Sequence, residues 1–409
     1  MATDEDKMRF TPLHSRHGEL GANMVPFGEW EMPLWYKAGA IREHLAVIQA
    51  AGLFDTSHMD VLLVSGDDSG KFLDFAFTRD IASLRPGRCA YGAFLDAKGG
   101  AIDDGIIYPL GEARYAVVAN ASMGPVLHRH LSRLPGADKV AIREAAPRLA
   151  KLDIQGPASV SILRLFLENA DRVLEKFPYF TFKGDFELPK SEIKLNDGAP
   201  ILLSRTGYTG ELGFEIFLTP ERALTLWDDL LNAGADQGIL PCGLAARDSL
   251  RTGAVLPLSH QDIGPWPFIN HPWPFALPLR EDGTFGKRFF GAESLDAASA
   301  PHTLPFAGFD PRRVDAHSAR VMAGGADIGE VLTIVSDMAI GRVDGAIVGL
   351  ASPNRPEGWT PKGLACGFVK VDRPLPPGTE IVLRDGRREI KAAVVQDIRP
   401  GRTARKKIN

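Results

Sequence analysis

The sequence predicts an α+β protein built from antiparallel sheets, with a separate all-β module towards its C-terminus. Helix-like and strand-like segments alternate irregularly, without the regular βα period of a doubly wound fold. From about residue 305 onward, short β-like runs alternate with Gly, Pro and Asp turns, which is typical of an all-β domain. We therefore predict two regions, 1–295 and 305–409.

The N-terminal part of the chain shows the patterns of both element types. Ile41, Leu45 and Ile48 fall on one face of a helix predicted over 40–51, and Gly52 ends it. The other elements predicted here are a strand at 61–64, a helix at 70–77, a hairpin of strands at 91–96 and 101–108, and a third strand of that sheet at 115–119.

The middle of the chain continues the mixed pattern. The predicted elements are a strand at 150–154, a helix at 157–167, a second hairpin of 201–206 with 214–218, and helices at 220–233 and 243–253. Residues 264–278 are rich in Pro and Trp, and proline removes hydrogen-bond donors, so this segment cannot form regular helix. We find no internal sequence repeat.

Composition and charge narrow the class of protein. Apolar residues make up 44% and charged residues 24%, as in ordinary globular proteins. The net charge of -4 argues against non-specific nucleic-acid binding. The spacing of the three cysteines and of the histidines predicts neither a disulfide framework nor a metal site. The N-terminus lacks a signal-peptide pattern and no apolar run approaches ~18 residues, so we expect a cytoplasmic protein without a membrane span.

The hairpin at 91–108 ends in two acids that are candidates for chemistry. Gly99 and Gly100 permit positive φ in its turn. Asp103 and Asp104 open the returning strand, where alternation would place them on opposite faces, so only one is expected to enter a given cavity. A carboxylate held there can accept a proton or stabilise developing positive charge. The alternative is a solvated carboxylate at the start of a strand.

The second candidate segment surrounds Glu215. Three glycines within the seven residues 207–213 permit close approach of the backbone to a ligand, and Tyr208 offers a flat ring with a polar tip. Glu215 lies on the strand face opposite Phe214 and Ile216, so it needs a partner if that face is covered. A pterin edge, with two adjacent N–H donors, would match one carboxylate. The alternative is a hairpin with a solvent-facing Glu215.

The third candidate segment is a loop that enters the helix at 243–253. Arg247 and Arg251 are four residues apart and share a helix face, which can bind a carboxylate or hold Asp248 in place. The alternative is a cluster of surface ion pairs. The chain has neither a Walker loop nor a G-x-S-x-G elbow. Residue patterns alone therefore predict a multidomain α+β protein with a small-molecule pocket.

These segments, together with others in the same order, resemble the aminomethyltransferase (glycine-cleavage T-protein) family. The resemblance covers about residues 8–295. The phrases that carry it are Thr11-Pro-Leu-His, Gly21-Ala-Asn-Met-Val-Pro-Phe-Gly-Glu-Trp-Glu-Met-Pro, Gly52-Leu-Phe-Asp-Thr-Ser-His-Met59, Ala-Ile-Asp103-Asp104, Leu152-Asp-Ile-Gln-Gly-Pro, Thr206-Gly-Tyr-Thr-Gly-Glu-Leu-Gly-Phe-Glu215, Gly243-Leu-Ala-Ala-Arg-Asp-Ser-Leu-Arg251 and Gly286-Lys-Arg-Phe-Phe-Gly-Ala-Glu-Ser-Leu295.

The resemblance implies a fold and a set of site residues. The fold is a three-domain cloverleaf around a folate channel: a Greek-key-like sheet domain and a ferredoxin-like domain, interleaved within 1–295, and a C-terminal β-barrel. Asp104 matches the catalytic acid, Glu215 the pterin-binding carboxylate and Arg247 a channel arginine. The positions that match ring- or tail-contacting residues are Tyr91, Asn120, Tyr179 and Tyr208.

The resemblance also implies the reaction. Tetrahydrofolate is the expected cofactor, and its nitrogen attacks the donor carbon while Asp104 orients the folate nitrogens and stabilises developing charge. In glycine cleavage the donor is an aminomethyl-lipoyl arm on the H-protein, and the products are methylenetetrahydrofolate and ammonia. A lipoyl-linked or small-molecule donor is therefore the expected partner, and no metal, nucleic acid or membrane is expected.

The segment on the expected donor side departs from the family pattern. Members usually read "YGQDM" where this chain has Leu256-Pro-Leu-Ser-His-Gln-Asp-Ile263, followed by a segment containing Trp266, Phe268, Trp273 and Phe275. These rings can form an aromatic wall or a hydrophobic plug between domains. A wall would suit a methylated cation, which leaves open a tetrahydrofolate-dependent demethylase of a small N-, O- or S-methyl compound.

Two further interpretations lie outside transferase chemistry. A folate-binding iron–sulfur assembly factor would carry a "KGCYxGQE" phrase, and the corresponding stretch has no cysteine. The other is a catalytically silent binding module, which an Asp104→Asn variant that binds folate but loses turnover would exclude.

Overall fold

The structure is a computed structural model that describes residues 8–85, 87–111, 113–145 and 149–408. Its helices are α1 (His14–Glu19), α2 (Ala40–Gln49), α3 (Ser69–Ala76), α4 (Gly124–Leu131), α5 (Ser159–Arg164), α6 (Ala170–Leu174), α7 (Pro220–Ala233) and α8 (Leu244–Gly253). Its strands are β1 (Asn23–Phe27), β2 (Trp30–Trp35), β3 (Ala51–Asp55), β4 (Asp60–Ser65), β5 (Ala90–Leu95), β6 (Ala101–Gly111), β7 (Arg114–Ala119), β8 (Ala141–Glu144), β9 (Ala150–Gln155), β10 (Phe182–Lys183), β11 (Leu202–Ser204), β12 (Gly213–Leu218), β13 (Ile239–Pro241), β14 (His302–Gly308), β15 (Arg320–Ala323), β16 (Ala326–Asp337), β17 (Ile340–Val343), β18 (Ala346–Gly349), β19 (Leu364–Val371), β20 (Glu380–Arg384) and β21 (Glu389–Val394).

The first sheet is five-stranded and antiparallel, in the order β5-β6-β7-β4-β8. Helices α3 and α4 cover one face, where Phe72 and Leu127 pack against Leu62 and Val117. Along the chain, β4, α3, β6, β7, α4 and β8 form the βαββαβ arrangement of a ferredoxin-like unit, and β5 adds an edge strand.

The second sheet has six strands in the order β10-β11-β12-β9-β3-β13, and only the β3–β13 pair is parallel among its described strands. Along the chain, β9, α5, β11, β12, α7 and β13 repeat the βαββαβ arrangement, with β3 inserted between β9 and β13. The two units therefore repeat each other in topology, although the sequence shows no internal repeat.

Matching turns support this repeat. Strands β4 and β9 each end before a glycine with positive φ, Gly66 at 121° and Gly156 at 122°. Each glycine N–H donates to the carbonyl just before the matching strand, β7 or β12, at 3.2 Å and 2.6 Å. The hydroxyls of Ser69 and Ser159, three residues after each glycine, donate to the same carbonyls at 2.8 Å and 3.3 Å. The two sequences, SGDDS and QGPAS, share only the glycine and the serine.

The two sheets pack face to face through an aromatic layer. Tyr108 of the first sheet is fully buried, with its ring 5.2 Å from the rings of both Phe182 and Phe186. Phe217 of the second sheet closes this cluster, 4.7 Å from Phe186. Burial of this aromatic surface fixes the separation of β6 and β12, the strands that carry the predicted acids.

The C-terminal strands close into a barrel in the order β14-β19-β16-β15-β20-β21. Its interior is apolar, with Phe306, Val321, Val369 and Leu383 at its centre. The predicted α+β class, with antiparallel sheets and a C-terminal barrel, is confirmed. The boundaries 1–295 and 305–409 stay predictions; the first barrel strand begins at His302.

Segment 264–278 contains no regular α-helix, as predicted, and has only a short 3₁₀ turn at Pro274–Ala276. Among the described residues, none of the helices is both long and apolar enough to span a membrane. The three cysteines are buried and free of disulfide bonds.

Candidate functional site

Asp103 and Asp104 converge on the side chain of Asn120, at the end of β7. The Asn120 amide nitrogen lies 2.7 Å from Asp103 Oδ1 and 2.8 Å from Asp104 Oδ1. The Asn120 backbone N–H also donates to Asp103 Oδ2 at 3.1 Å. The expectation that the two acids occupy separate faces, so that only one can reach a given site, is therefore wrong.

A β-bulge gives the physical reason. The register of β5 on β6 shifts so that Phe94 pairs with Asp103 and Leu95 with Ala101, which leaves Ile102 unmatched. A bulge increases the local twist and re-aims neighbouring side chains.

Both acids are buried, at 0% and 8% exposure, so the alternative of solvated carboxylates is wrong. Burial raises the pKa of Asp104, and burial together with the charge of Asp104 raises the pKa of Asp103. Two buried carboxyl groups at one amide titrate as a pair.

Tyr91 adds an unsatisfied hydroxyl to this cluster. Its oxygen is buried and close enough to Asp104 for the two groups to affect each other's pKa, but no described residue meets it with full hydrogen-bond geometry. Burial and the nearby charge of Asp104 raise the pKa of Tyr91 well above its usual value. A buried polar group without a partner is costly, so this hydroxyl is a candidate contact for a ligand.

Glu215 is buried on the second sheet and has two partners. Its Oε1 lies 2.5 Å from Lys151 Nζ, and its Oε2 accepts a hydrogen bond from Thr206 Oγ1 at 2.5 Å. Lys151 also contacts Asp153 Oδ1 at 2.7 Å. The alternative of a solvent-facing Glu215 is wrong, and the partner that burial requires is present.

Arg247 extends this network towards Tyr208. Its Nη1 lies 3.1 Å from Asp153 Oδ2, and its guanidinium sits 4.8 Å from the centre of the Tyr208 ring. Arg251 instead contacts Asp248 and the buried Asp262. The two arginines therefore have different partners, and neither belongs to a surface cluster.

The pKa values of Tyr208 and Tyr179 show which acid lies near each ring. Burial raises the pKa of Tyr208, and the charge of Asp104 raises it further against the opposing charge of Arg251. Burial raises the pKa of Tyr179 to about 12, with Glu215 acting in the same direction. Tyr208 is therefore close enough to Asp104 to be affected by its charge, and its ring also lies against the Arg247 guanidinium. Tyr179 is affected instead by the charge of Glu215.

A cavity of about 660 Å³ lies between the β1–β2 hairpin, α8 and the barrel. Its wall includes Tyr208 and Arg247, and also His58, which burial and the Arg247 charge keep neutral by lowering its pKa to about 4. Asp104 and Glu215, both among the described residues, do not form part of its wall. A cavity of this size can hold a small molecule or part of a longer arm.

Comparison with known protein families shows which family the chain belongs to. The profile of the family described as "GCVT N-terminal domain" matches residues 13–266. The chain belongs to the aminomethyltransferase (glycine-cleavage T-protein) family. The predicted family is thereby confirmed.

Individual relatives agree over most of the chain. An aminomethyltransferase of Streptomyces coelicolor is 38% identical over 82% of this chain and 88% of its own length. One from Streptomyces avermitilis is 38% identical over 82% of this chain and 87% of its own length. The crystal structure of glycine cleavage system aminomethyltransferase T from Bartonella henselae superimposes with a TM-score of 0.76 at 26% identity, covering 98% of this chain and 100% of that one.

Sequence analysis did not assign Lys151 and Asp153 to the site of this family member. A signal was present, because the two charged residues alternate with apolar Leu152 and Ile154 along β9. Charged residues that share one face of a buried strand need partners on a neighbouring strand. Ser259, which donates to Asp103 at 3.1 Å, was also missed.

The aromatic residues of 264–278 do not form one wall. Phe268 and Trp273 are buried in a core with Leu95, and the Trp273 indole N–H donates to the carbonyl of Val255 at 2.7 Å. Trp266 instead makes a cation–π contact with Lys370, whose ammonium nitrogen lies 4.3 Å from the ring centre. The hydrophobic-plug interpretation fits Phe268 and Trp273, and the demethylase alternative loses the feature that motivated it.

Proposed function

We propose that this protein is a tetrahydrofolate-dependent aminomethyltransferase that takes its one-carbon unit from an aminomethyl-lipoyl arm of an H-protein, in the cytoplasm. The observation that carries the proposal is the buried pair of Asp103 and Asp104 at Asn120, within the region matched by the family profile. When bound, the reduced folate supplies the nitrogens that receive the carbon.

The residues present fit this cofactor. Each oxygen of Glu215 has one partner, Lys151 or Thr206, and a carboxylate oxygen can accept a further hydrogen bond. Lys151 holds Glu215 in place, and a carboxylate fixed in this way suits the recognition of two adjacent N–H donors. The unsatisfied Tyr91 hydroxyl offers another polar contact at the far side, beside Asp104.

The carboxyl pair can both accept and donate protons. Because burial and repulsion disfavour two negative charges, the pKa of both Asp103 and Asp104 is raised, and the pair takes up and releases protons as a unit. We assign Asp104 to the reacting nitrogens, where its charged form accepts a proton or stabilises developing positive charge. Asn120 keeps both groups in place.

The remaining predicted residues have binding roles in this proposal. Tyr208, stacked with Arg247, and Tyr179, on the Glu215 side, provide flat surfaces for the ring system and its tail. Arg247 supplies positive charge, although Asp153 already balances part of it.

We assign the donor arm to the 660 Å³ cavity at Tyr208 and Arg247. Its wall includes apolar residues of the β1–β2 hairpin and α2, among them Phe27, Trp35 and Ile41, which suit an alkyl chain. The free, buried cysteines are consistent with a reducing compartment.

A transfer assay with aminomethyl-loaded H-protein and tetrahydrofolate tests the proposal. We expect turnover by the unaltered protein, and a loss of about 10²-fold or more in kcat for Asp104→Asn with folate binding retained. Asp138→Asn, at an exposed carboxylate, is the matched control. Turnover of a methyl donor without H-protein, and none with the loaded carrier, would overturn it in favour of a demethylase.

A further inference from the structure

His260 has an unfavourable backbone conformation beside the buried acids. Its φ is +63°, in the left-handed region that is unfavourable for a residue with a side chain. Its side chain is 53% exposed, yet its Nε2 lies 3.9 Å from Oδ1 of the fully buried Asp103. His260 is thus one of the groups through which the buried pair meets solvent.

The surrounding loop holds this conformation from both sides. Asp262 accepts hydrogen bonds from the Leu258 backbone N–H at 3.0 Å and from Thr333 Oγ1 of the barrel at 2.7 Å. Asp262 also pairs with Arg251 of α8, and both are buried. A strained residue persists only when its surroundings determine it, and these contacts do so for the turn at His260.

Ser259 connects His260 to both acids. Its hydroxyl donates to Asp103 Oδ1 at 3.1 Å, and its hydrogen bonding also lowers the pKa of Asp104 against the effect of burial. A hydroxyl can donate one hydrogen bond and accept another, so it can pass a proton between the two carboxyl groups.

The outer side of His260 faces a second cavity, of about 580 Å³. Charged and titratable groups on its wall are Asp248 of α8 and, from the barrel side, His317, Arg320 and Glu330. On its inner side, His260 meets Asp103, with Asp104 and Tyr91 behind it. The imidazole therefore lies between an open aqueous space and the carboxyl pair.

We propose that His260 carries protons between solvent and the buried pair of Asp103 and Asp104. In the step, a rotation of the half-exposed His260 side chain closes the 3.9 Å between Nε2 and Asp103 Oδ1 to hydrogen-bonding distance, the Nε2–H bond of the imidazolium breaks, and an O–H bond forms on Asp103. The neutral imidazole then takes a proton from water in the outer cavity, and the Ser259 hydroxyl passes a proton from Asp103 to Asp104.

This inference rests on the proposed function, which explains why such a carrier is needed. The transfer releases two protons from the accepting nitrogens, and the departing thiol and the departing amine, if it leaves as ammonia, take up two. If the aminomethyl nitrogen starts uncharged and leaves as ammonium, a third proton is needed, which the buried pair must obtain from outside. His260 does not contact the reacting atoms and acts only through Asp103 and Asp104, so it is a positioning and relay residue.

Chemical rescue tests the proposal. His260→Gly removes the imidazole and relieves the backbone strain, so its unfolding temperature is expected to equal or exceed that of the unaltered protein. In dilute buffer we expect kcat to fall about tenfold or more with KM for folate unchanged, and added imidazole to restore most of the loss. The matched control is His317→Gln, in the same cavity wall but without contact to Asp103, which should leave kcat unchanged.

The possible outcomes separate the two proposals. If the unaltered protein transfers the carbon but His260→Gly keeps its full kcat, or loses kcat that imidazole does not restore, the relay is overturned. His260→Gln should show the same loss, and full activity in this variant would also overturn the relay. If the unaltered protein shows no transfer from the loaded carrier, it is the proposed function that fails.

Discussion

Lys151 Nζ lies 2.5 Å from Glu215 Oε1, and the two side chains are only 5% and 8% exposed. Asp153 shares the ammonium group at 2.7 Å and is itself fully buried. Lys151 therefore bridges two carboxylates across strands β9 and β12, and Arg247 gives Asp153 a second cation at 3.1 Å. Because charges leave water only at a large cost, this cluster depends on each of its members.

We predict that Lys151→Met lowers the free energy of unfolding by about 3–5 kcal/mol, because it leaves the buried Glu215 without its cation and Asp153 with Arg247 alone. Urea denaturation at neutral pH measures this. Lys190→Met is the control, since Lys190 is 57% exposed in its pair with Glu187, and surface pairs contribute about 0–1 kcal/mol. Equal losses in the two variants would contradict the prediction.

Asp55 should make stability depend on acid pH. Burial raises the pKa of Asp55, but the hydrogen bond and charge of His17 outweigh this and bring it to about 2. The stabilisation is therefore present above the unfolded pKa of about 3.9 and is lost as the pH falls towards 2. We expect the unaltered protein to lose about 2 kcal/mol more than Asp55→Asn between pH 5 and pH 2, measured by denaturant titration. Asp171→Asn, at a side chain that is 93% exposed, should run parallel to the unaltered protein.

Asn120→Ala should affect both stability and activity. The substitution removes the amide that contacts Asp103 and Asp104, and an unsatisfied buried acceptor costs about 1–3 kcal/mol. Loss of a positioned donor at the reacting acid should lower kcat about 10²-fold. Asn196→Ala, which removes an exposed amide that bonds the carbonyl of Leu165, controls for general effects. An Asn120→Ala variant with unaltered kcat would show that the amide has no part in turnover.

The repeated glycine turns give a stability prediction. A Cβ at Gly156 would lie 2.5 Å and 2.6 Å from the carbonyl oxygens of Val47 and Ala50, with φ at +122°. We expect Gly156→Ala to lower the free energy of unfolding by about 3 kcal/mol, from strain and overpacking. Gly18→Ala, in helix α1 with no atom within 4 Å, should raise it by up to about 1 kcal/mol. Thermal or urea unfolding compares the two, and similar effects in both would refute the steric argument.

Local patterns predicted many of the elements. The helix predicted at 220–233 is α7, Pro220–Ala233, because proline at its first position and a 3.6-residue apolar spacing both lie within the segment. The hairpin of β5 and β6 was recognised because Gly99 and Gly100 mark a turn between two strand-like segments. The insertion of β3 into the second sheet was not predicted, since β3 pairs with β9, about a hundred residues later.

Some residues of the candidate site were predicted from the sequence, and others became apparent only in the structure. Asp104, Glu215 and Arg247 were predicted as site residues from their phrases, and both acids are buried in the structure. Lys151 escaped notice because it meets Glu215 from a position 64 residues away. The convergence of Asp103 with Asp104 depended on a bulge that simple strand alternation does not predict.

By itself, the sequence determined the α+β class, most of the elements and the family, because periodicity, turn residues and motifs are local properties of the chain. Only the tertiary structure decided that one lysine neutralises Glu215, that one amide joins the two aspartates and that His260 reaches them from solvent. The reason is physical: the cost of burying a charge is set by partners that register and sheet packing bring from distant parts of the chain.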